Sequence, residues 1–236
     1  MSLRGYRLFQ GLLMALLGLF LLSRLRDGRI LLYLNQRFVW LVLLAALVLL
    51  GMAQVVLQAR PGLREETERR SPMGLVWLAL PLAIGVLIPA RSLTQEIVAV
   101  RGMQTQPIVL RANVPARPVT IPTTQWSILD WIQAFRDAPD DQVGKAVDVT
   151  GFVFRDSSLR ADQMIVGRFA ITCCVADASA VGVVVHSEQA ASFAQGEWVR
   201  VQGRVSWQDV NGEAQLGFEA ETIERMDAPE QPYLFP

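Results

Sequence analysis

Three long apolar runs in the first 90 residues constrain this chain more than any other feature. They extend over roughly Tyr6–Leu22, Phe38–Leu57 and Leu75–Ala90, and past Arg7 none of them contains an acidic, basic or histidine side chain. A membrane-spanning helix needs about 17–25 apolar residues and must satisfy its own backbone hydrogen bonds in lipid. The runs therefore predict three α-helical spans, of which the first is near the lower length limit and the third is short.

The start of the chain also resembles a secretory signal peptide, with basic residues before an apolar core. However, residues 21–26 offer no small-x-small cleavage site, and two more apolar runs follow. We therefore interpret the first run as an uncleaved anchor. The arginines that flank the three runs divide six and six between the two sides of the membrane. The positive-inside rule thus assigns no orientation, and the side of the C-terminal part stays open.

The formal net charge of zero hides two different parts. Residues 1–90 hold 10 basic and 4 acidic residues, which gives +6, and residues 91–236 are correspondingly −6. Four prolines between residues 107 and 122 favour an extended connector. The predicted organisation is a three-helix transmembrane region at 1–90, a proline-rich linker at 91–125, and a soluble domain at 126–236.

The soluble domain is predicted to begin with a helix. Ser127-Ile-Leu-Asp130 is typical of a capping box, and apolar residues at helical spacing continue through about Phe135. We expect this helix to cover one end of the domain that follows.

After this helix the apolar period changes to two, which predicts β-strands. The five predicted strands are Lys145–Arg155, Met164–Val175, Val181–His186, Glu197–Trp207 and Glu213–Glu224, with a short helical segment at Ser187–Ala194. Asn211-Gly212 predicts a hairpin turn, and Gly151 and Gly203 lie mid-strand, where a small barrel bends or bulges. This order favours an OB-like, all-β C-terminal barrel, and the alternative is an unrelated small antiparallel sandwich.

Cys173 and Cys174 are the only cysteines in the chain. Strand alternation predicts that Cys173 faces the core and that Cys174 faces out or across. Three interpretations stay open: a buried apolar thiol beside an incidental one, a soft-metal or thiol-reactive site, and a strained vicinal disulfide. Two thiolates alone do not complete a zinc shell, so Cys173 and Cys174 as metal ligands would need partners from elsewhere.

The neighbours of the cysteines are the other candidate binding residues. Arg168 could clamp an anion or pair with Asp162, and the surface ion pair is the simpler interpretation. Asp177 lies in the turn after the cysteines, where aspartates usually bond their own backbone. The only histidine, His186, is interpreted as a surface residue. No catalytic set is evident, so the sequence predicts a non-enzymatic protein with no required cofactor.

Three segments resemble the YcgQ-like family. They are Leu80–Leu93 with Arg101-Gly102 after it, Val166–Ala178 with its Thr-Cys-Cys-x-Ala-Asp-Ala run, and the ending Pro229–Pro236. The resemblance covers essentially the whole chain. The members of this family are uncharacterised, and the resemblance implies a multi-pass protein of the bacterial plasma membrane that is an accessory subunit of a two-component permease.

The expected partner is a larger multi-span permease of the YraQ or YcgR kind, besides the lipid bilayer. The predicted spans offer little polarity beyond Gln54, so they do not themselves predict an ion pathway. Some relatives carry a His-rich loop between the second and third spans, whereas Gln58–Pro72 has no histidine here, which weakens a metal-transport role. The alternative function is a membrane-tethered metal- or thiol-sensing module that uses the two cysteines. The acidic C-terminal part argues against nucleic acid as a partner.

Overall fold

The three apolar runs all form helices: α1 at Leu3–Arg26, α2 at Val39–Gln58 and α3 at Met73–Leu87. The computed structural model describes residues 3–59, 72–88, 93, 98, 103–104, 121–157 and 159–235. It divides the chain into two compact units, residues 1–91 and 92–236, which are described separately below. Two 3₁₀ turns, Arg29–Leu32 and Gln36–Phe38, connect α1 to α2.

Small residues spaced by seven bring α1 close to α2. A side chain on Gly18 would lie 2.9 Å from Cγ of Leu50, and one on Gly11 would lie 2.6 Å from Cγ of Leu57. The matching positions on α2 are Ala46 and Ala53, which are buried. Because small residues occupy these four positions, the two backbones approach closely there, as helices in lipid commonly do.

The outward faces of these helices are apolar as well. Among the large side chains, Leu19 is 55% exposed, Val55 68% and Trp77 68%. Helices that are apolar on every side need an apolar environment to cover them. Gly5–Arg26 and Gln36–Gln58 are long and apolar enough to cross a membrane. The third helix has 15 residues, about 22 Å at 1.5 Å per residue, which is less than the roughly 30 Å hydrocarbon core. Two of the three predicted spans are therefore supported by length.

The C-terminal unit contains the predicted capped helix, α4, at Ile128–Asp137. The side chain of Ser127 accepts a hydrogen bond from the Asp130 amide, and the Asp130 carboxylate accepts one from the Ser127 amide at 2.7 Å. Trp131, which is fully buried, packs edge-on against Phe218 with ring centroids 5.7 Å apart. The capping-box prediction is confirmed, and α4 covers part of the core of this unit.

Among the described residues, seven strands pair into one sheet. The five predicted strands are confirmed with small changes of bounds: β2 Ala146–Phe154, β3 Gln163–Ala170, β4 Ser179–His186, β5 Trp198–Val210 and β6 Glu213–Arg225. The predicted helical segment between β4 and β5 is a 3₁₀ turn at Ala190–Ser192. Two short strands, β1 at Met103–Gln104 and β7 at Tyr233–Leu234, pair in parallel with β4 and β3, respectively.

The five long strands pair in a cycle. β3 lies antiparallel to both β2 and β4, β5 lies antiparallel to both β2 and β6, and β4 lies parallel to β6. Following these pairs from β2 therefore returns to β2. The inward side chains come from all five strands and form one core cluster with α4.

The predicted linker lies largely outside the described residues, but two of its segments belong to the C-terminal unit. Met103 pairs with Ala180 at the start of β4. Thr123, in a 3₁₀ turn, donates a side-chain hydrogen bond of 2.7 Å to the Ala146 carbonyl.

Gly203 marks the predicted bulge. The register of β5 against β6 shifts between Gln202 and Gly203, so that Gln202 faces Thr222 while Gly203 faces Ala220. A Cβ on Gly203 would overlap the carbonyl oxygen of Glu219 and lie 3.0 Å from Cα of Ala220. Backbone, unlike a flexible side chain, has little room to move away.

Gly203→Ala should therefore lower the free energy of unfolding of the C-terminal unit by about 1–3 kcal/mol, as overpacking typically does. Urea unfolding of the full chain in mild detergent, followed by tryptophan fluorescence, measures the change. Gly51→Ala adds the same methyl group on α2, where no atom of another element lies within 4 Å, and should leave this transition in place. Equal stability of the two variants would contradict the close approach at Gly203.

Candidate functional site

The two cysteines lie in a loop that connects β3 to β4. This cysteine loop, Ile171–Ala178, begins where β3 ends and contains a 3₁₀ turn at Val175–Asp177. The second strand was predicted to continue to Val175, but it ends at Ala170. Strand alternation therefore stops before the cysteines, and the prediction that Cys173 faces the core is wrong: Cys173 is exposed and Cys174 is half-buried.

Asp177 holds the cysteine loop in shape. Its carboxylate accepts backbone hydrogen bonds from Cys173 at 2.7 Å and from Thr172 at 3.2 Å. Partial burial alone would raise the pKa of Asp177, but the hydrogen bonds from the Cys173 thiol and from the loop amides outweigh it and lower the pKa. The prediction that Asp177 bonds its own backbone is confirmed.

The two thiols are free and adjacent, with their Sγ atoms 3.7 Å apart. A hydrogen bond to the Asp177 carboxylate, followed by one to Cys174, raises the pKa of Cys173 to about 11. The negative carboxylate disfavours a second negative charge beside it, so at neutral pH Cys173 is a thiol. A thiol is a poor nucleophile, and it binds a metal only after losing its proton.

Arg168 serves a different contact from the two predicted for it. Its guanidinium Nε donates to the Pro232 carbonyl at 3.1 Å, and a second nitrogen donates to the Gln231 carbonyl. The group also lies 5.7 Å from the ring centroid of Trp198. Burial lowers the pKa of Arg168 to about 10, which leaves it charged at neutral pH.

The predicted ion pair between Arg168 and Asp162 is therefore wrong, because Arg168 fastens the C-terminal segment to β3. That segment continues into β7, where the Leu234 carbonyl accepts from the amide of Ile171 at 2.9 Å. The entrance to the cysteine loop is thus fixed by the end of the chain. The Tyr233 hydroxyl, in turn, accepts a hydrogen bond from the Leu93 amide at 2.8 Å.

His186 has partners that sequence reasoning missed. Its Nδ1 lies 2.8 Å from Oε1 of Glu219, and its Nε2 lies 3.1 Å from Oδ2 of Asp162. Asp162 is also held by both Nε and a terminal nitrogen of Arg160, at 3.1 and 2.8 Å. The partners are 24 and 33 residues away, and the pairing of His186 with Glu219 in β6 brings one of them beside it. No local motif signals this arrangement.

His186, Asp162, Glu219 and Arg160 form a histidine cluster, and the charges of its members depend on one another. The hydrogen bond to Glu219, against partial desolvation, raises the pKa of His186. The hydrogen bonds from Arg160 first, and from His186, lower the pKa of Asp162 to about 2. Beside the cluster lies an open groove of about 600 Å³, whose lining includes Glu188, Glu221 and Glu224.

In the part of the chain that the structure describes, no group of three His, Cys, Asp or Glu side chains is arranged to hold a metal ion. The two nitrogens of His186 face separate carboxylates. Cys173 and Cys174 as metal ligands therefore stay a prediction that would require further ligands.

The residues that carry this geometry fall within a known domain family. The family model for the DUF1980 C-terminal domain matches residues 113–236, just over half of the chain, and the chain belongs to that family. The matched region contains the cysteine loop, Arg168 and His186.

A particular relative is the UPF0703 protein YcgQ of Bacillus subtilis strain 168. It is 23% identical over 86 residues, which are 36% of this chain and 30% of that protein. This similarity supports the resemblance to the YcgQ-like family. The alignment spans less than a third of the relative, so its partners and activity enter only as proposals.

The hydrogen bond between Asp177 and Cys173 makes the reactivity of that thiol testable. In a Cys174→Ser background, Asp177→Asn should lower the pKa of Cys173 from about 11 toward the ordinary value of 9.0. Alkylation by iodoacetamide at pH 8 should then become about tenfold faster or more, because the thiolate is the nucleophile. Mass spectrometry of the modified peptide measures the rate. Asp141→Asn removes a charge from an exposed site outside the loop and should leave the rate unchanged.

The pKa of His186 is accessible because the chain contains a single histidine. In protein with any histidine tag removed, the NMR resonances of the His186 ring should titrate with a midpoint above the ordinary pKa of 6.5. Glu219→Gln should lower that midpoint, since it removes the strongest stabilising partner of the charged ring. Glu188→Gln removes a charge from the same groove and should shift the midpoint less. Equal shifts in the two variants would show that general charge, not the hydrogen bond, sets the pKa.

Proposed function

We propose that this protein is a non-catalytic, multi-pass accessory subunit of a bacterial plasma-membrane permease. The exposed apolar faces of α1, α2 and α3 carry this proposal. Large side chains such as Leu47, Val55, Trp77 and Leu87 remain 55%, 68%, 68% and 79% exposed in the N-terminal unit. Lipid covers such faces, and so does a larger membrane protein of the YraQ or YcgR kind.

The shortness of α3 favours docking over an isolated span. A 15-residue helix leaves part of a typical hydrocarbon core unspanned, and membrane proteins relieve such a mismatch by tilting, thinning the bilayer or associating. Pro81 also lies inside α3. Because proline has no amide hydrogen, the backbone carbonyl one turn earlier in the helix lacks its usual hydrogen bond. Packing against a partner would shield the backbone carbonyl that this leaves free.

The C-terminal unit is proposed to be an OB-type barrel that gates the partner, binds its cargo or scaffolds the complex. The cyclic pairing of five strands, closed by the parallel contact of β4 with β6, supports the OB-type topology. The net charge of −6 after residue 90 and the glutamate-lined groove argue against nucleic acid as the bound partner.

The hydrogen-bonding pattern supports a non-catalytic role. Arg168 is committed to two backbone carbonyls, Asp177 to the loop amides, and Cys173 is held as a thiol. His186 lies between two carboxylates. Each of these groups already has a structural partner in the described part of the chain.

The alternative is a membrane-tethered metal or thiol sensor at Cys173 and Cys174. Two free thiols 3.7 Å apart on a solvent-facing loop favour it, because zinc–sulfur bonds of about 2.3 Å allow one ion to reach both. The raised pKa of Cys173 weakens such binding at neutral pH. Replacing both cysteines by serine should abolish zinc binding if this alternative is right.

Affinity purification of the tagged full chain in mild detergent tests the leading proposal. We expect a multi-span permease to co-purify, identified by mass spectrometry, and to be retained by the Cys173→Ser, Cys174→Ser double variant. Recovery of the chain with itself alone would refute the accessory role. A C-terminal topology reporter in the same strain assigns the side of the C-terminal unit.

Substitution of two tryptophans tests which helix docks on the partner. Trp77→Ala removes a large exposed side chain from α3 and should reduce partner recovery severalfold. Trp40→Ala makes the same change on α2, where the side chain is 60% exposed, and should reduce it less. The opposite order would place the contact on α2.

A further inference from the structure

A cavity with a basic end opens between α1, the turn that follows it, and the second half of α3. Its volume is about 500 Å³, within the range of small-molecule sites. The apolar lining comes from Phe20, Leu21, Ile30, Pro81, Ile84 and Ile88, and the polar lining includes Arg24, Arg29 and Tyr33. All of these residues belong to the N-terminal unit.

The two arginines differ in how they are held. The guanidinium of Arg24 lies 4.7 Å from the ring centroid of Phe20, and one of its nitrogens lies 3.4 Å from the Gly85 carbonyl oxygen. Arg29, on the 3₁₀ turn, is exposed, and its guanidinium forms no hydrogen bond or ion pair with another described residue. Neither guanidinium is paired with a carboxylate in the described part of the chain, so both retain the capacity to bind an anion.

Gly85 lets the apolar wall form. A Cβ at this position would lie 2.7 Å from Cζ of Phe20, so the absence of a side chain allows the phenyl ring to lie against α3. The ring also gives the guanidinium of Arg24 a cation–π contact. The cavity therefore has an apolar interior and a positively charged end.

We propose that this cavity binds one anionic phospholipid, with its phosphate at Arg24 and Arg29 and an acyl chain along Ile84 and Ile88. The inference rests on the proposed membrane location. Charge complementarity favours this occupant, because a neutral helix from a partner would leave two arginines uncompensated beside an apolar surface. Basic pockets between membrane helices bind anionic headgroups in this way, and the planar guanidinium matches phosphate geometry. Arg24 lies in the last turn of the candidate span Gly5–Arg26, where a lipid headgroup is expected.

Native mass spectrometry of the full chain tests the site. The protein is purified in mild detergent, equilibrated with an equimolar mixture of phosphatidylglycerol and phosphatidylcholine, and scored for retained lipid. We expect phosphatidylglycerol to dominate in the wild type. The preference should fall by about fivefold for each arginine removed in Arg24→Gln, Arg29→Gln.

The matched control is Arg26→Gln, Arg37→Gln, which removes the same charge from neighbouring positions that do not line the cavity. It should keep the preference. An equal loss in both double variants would mean that general charge attraction selects the lipid, and it would overturn the inference. Circular dichroism and a single size-exclusion peak establish that the variants are folded.

Ile84→Trp tests the apolar half without changing charge. It should fill the cavity and lower the retained amount of both lipids. Unchanged retention in this variant would overturn the placement of the acyl chain. The experiment uses no partner protein, so its failure can be told apart from failure of the proposed function. Lipid preference without a co-purifying permease refutes only the accessory role. A co-purifying permease without lipid preference refutes only this site.

Discussion

The parallel pairing of β4 with β6 is the contact on which the C-terminal unit depends. It connects Val185 to Phe218 and His186 to Glu219, between strands that are far apart in the chain. The first pair lies in the core, where Phe218 meets the Trp131 ring of α4. The second lies at the surface and completes the histidine cluster. One register therefore fixes both the packing of the core and the electrostatics of the groove beside it, and a shift by one residue would exchange the two faces.

The cysteine loop shows how a carboxylate can decide the chemistry of its neighbours. Asp177 shapes the loop by accepting amide hydrogen bonds, and the same carboxylate holds Cys173 as a thiol. A residue that stabilises the backbone thus also suppresses thiolate formation. A cation that binds Cys173 must displace the thiol proton that Asp177 stabilises, so the conformation of this loop and the reactivity of its thiols are interdependent.

The N-terminal unit is governed by a different constraint. Its helices bury small residues against one another and present large apolar side chains outward, the reverse of a water-soluble bundle. Stability in such a unit comes from close backbone approach and from whatever covers the outer faces. The cavity with the basic end is the exception to this apolar exterior. Its two arginines, Arg24 and Arg29, lie on either side of Arg26, where α1 and the candidate span end.

Much of the secondary structure is determined by local sequence. The apolar runs, the Ser127–Asp130 capping box, the alternating strands and the Asn211-Gly212 turn each depend on neighbouring residues, so pattern alone predicts them. A bend or bulge is predicted at Gly151 and Gly203, because glycine in a strand interior often marks one. The register shifts at Gly203 and is continuous at Gly151.

The tertiary structure decided which side chains meet. The alternating pattern extends the second strand through the cysteines. In the structure the Asp177 carboxylate instead accepts hydrogen bonds from the amides of Thr172 and Cys173, and Cys173 is exposed. Arg168 was assigned a carboxylate, but the C-terminal segment supplies carbonyls that bury it instead. The sequence presents His186 as a surface residue, whereas the fold places it between Asp162 and Glu219. For Arg168 and His186 the physical reason is the same: the partners are tens of residues away, and only the folded chain brings them within hydrogen-bonding distance.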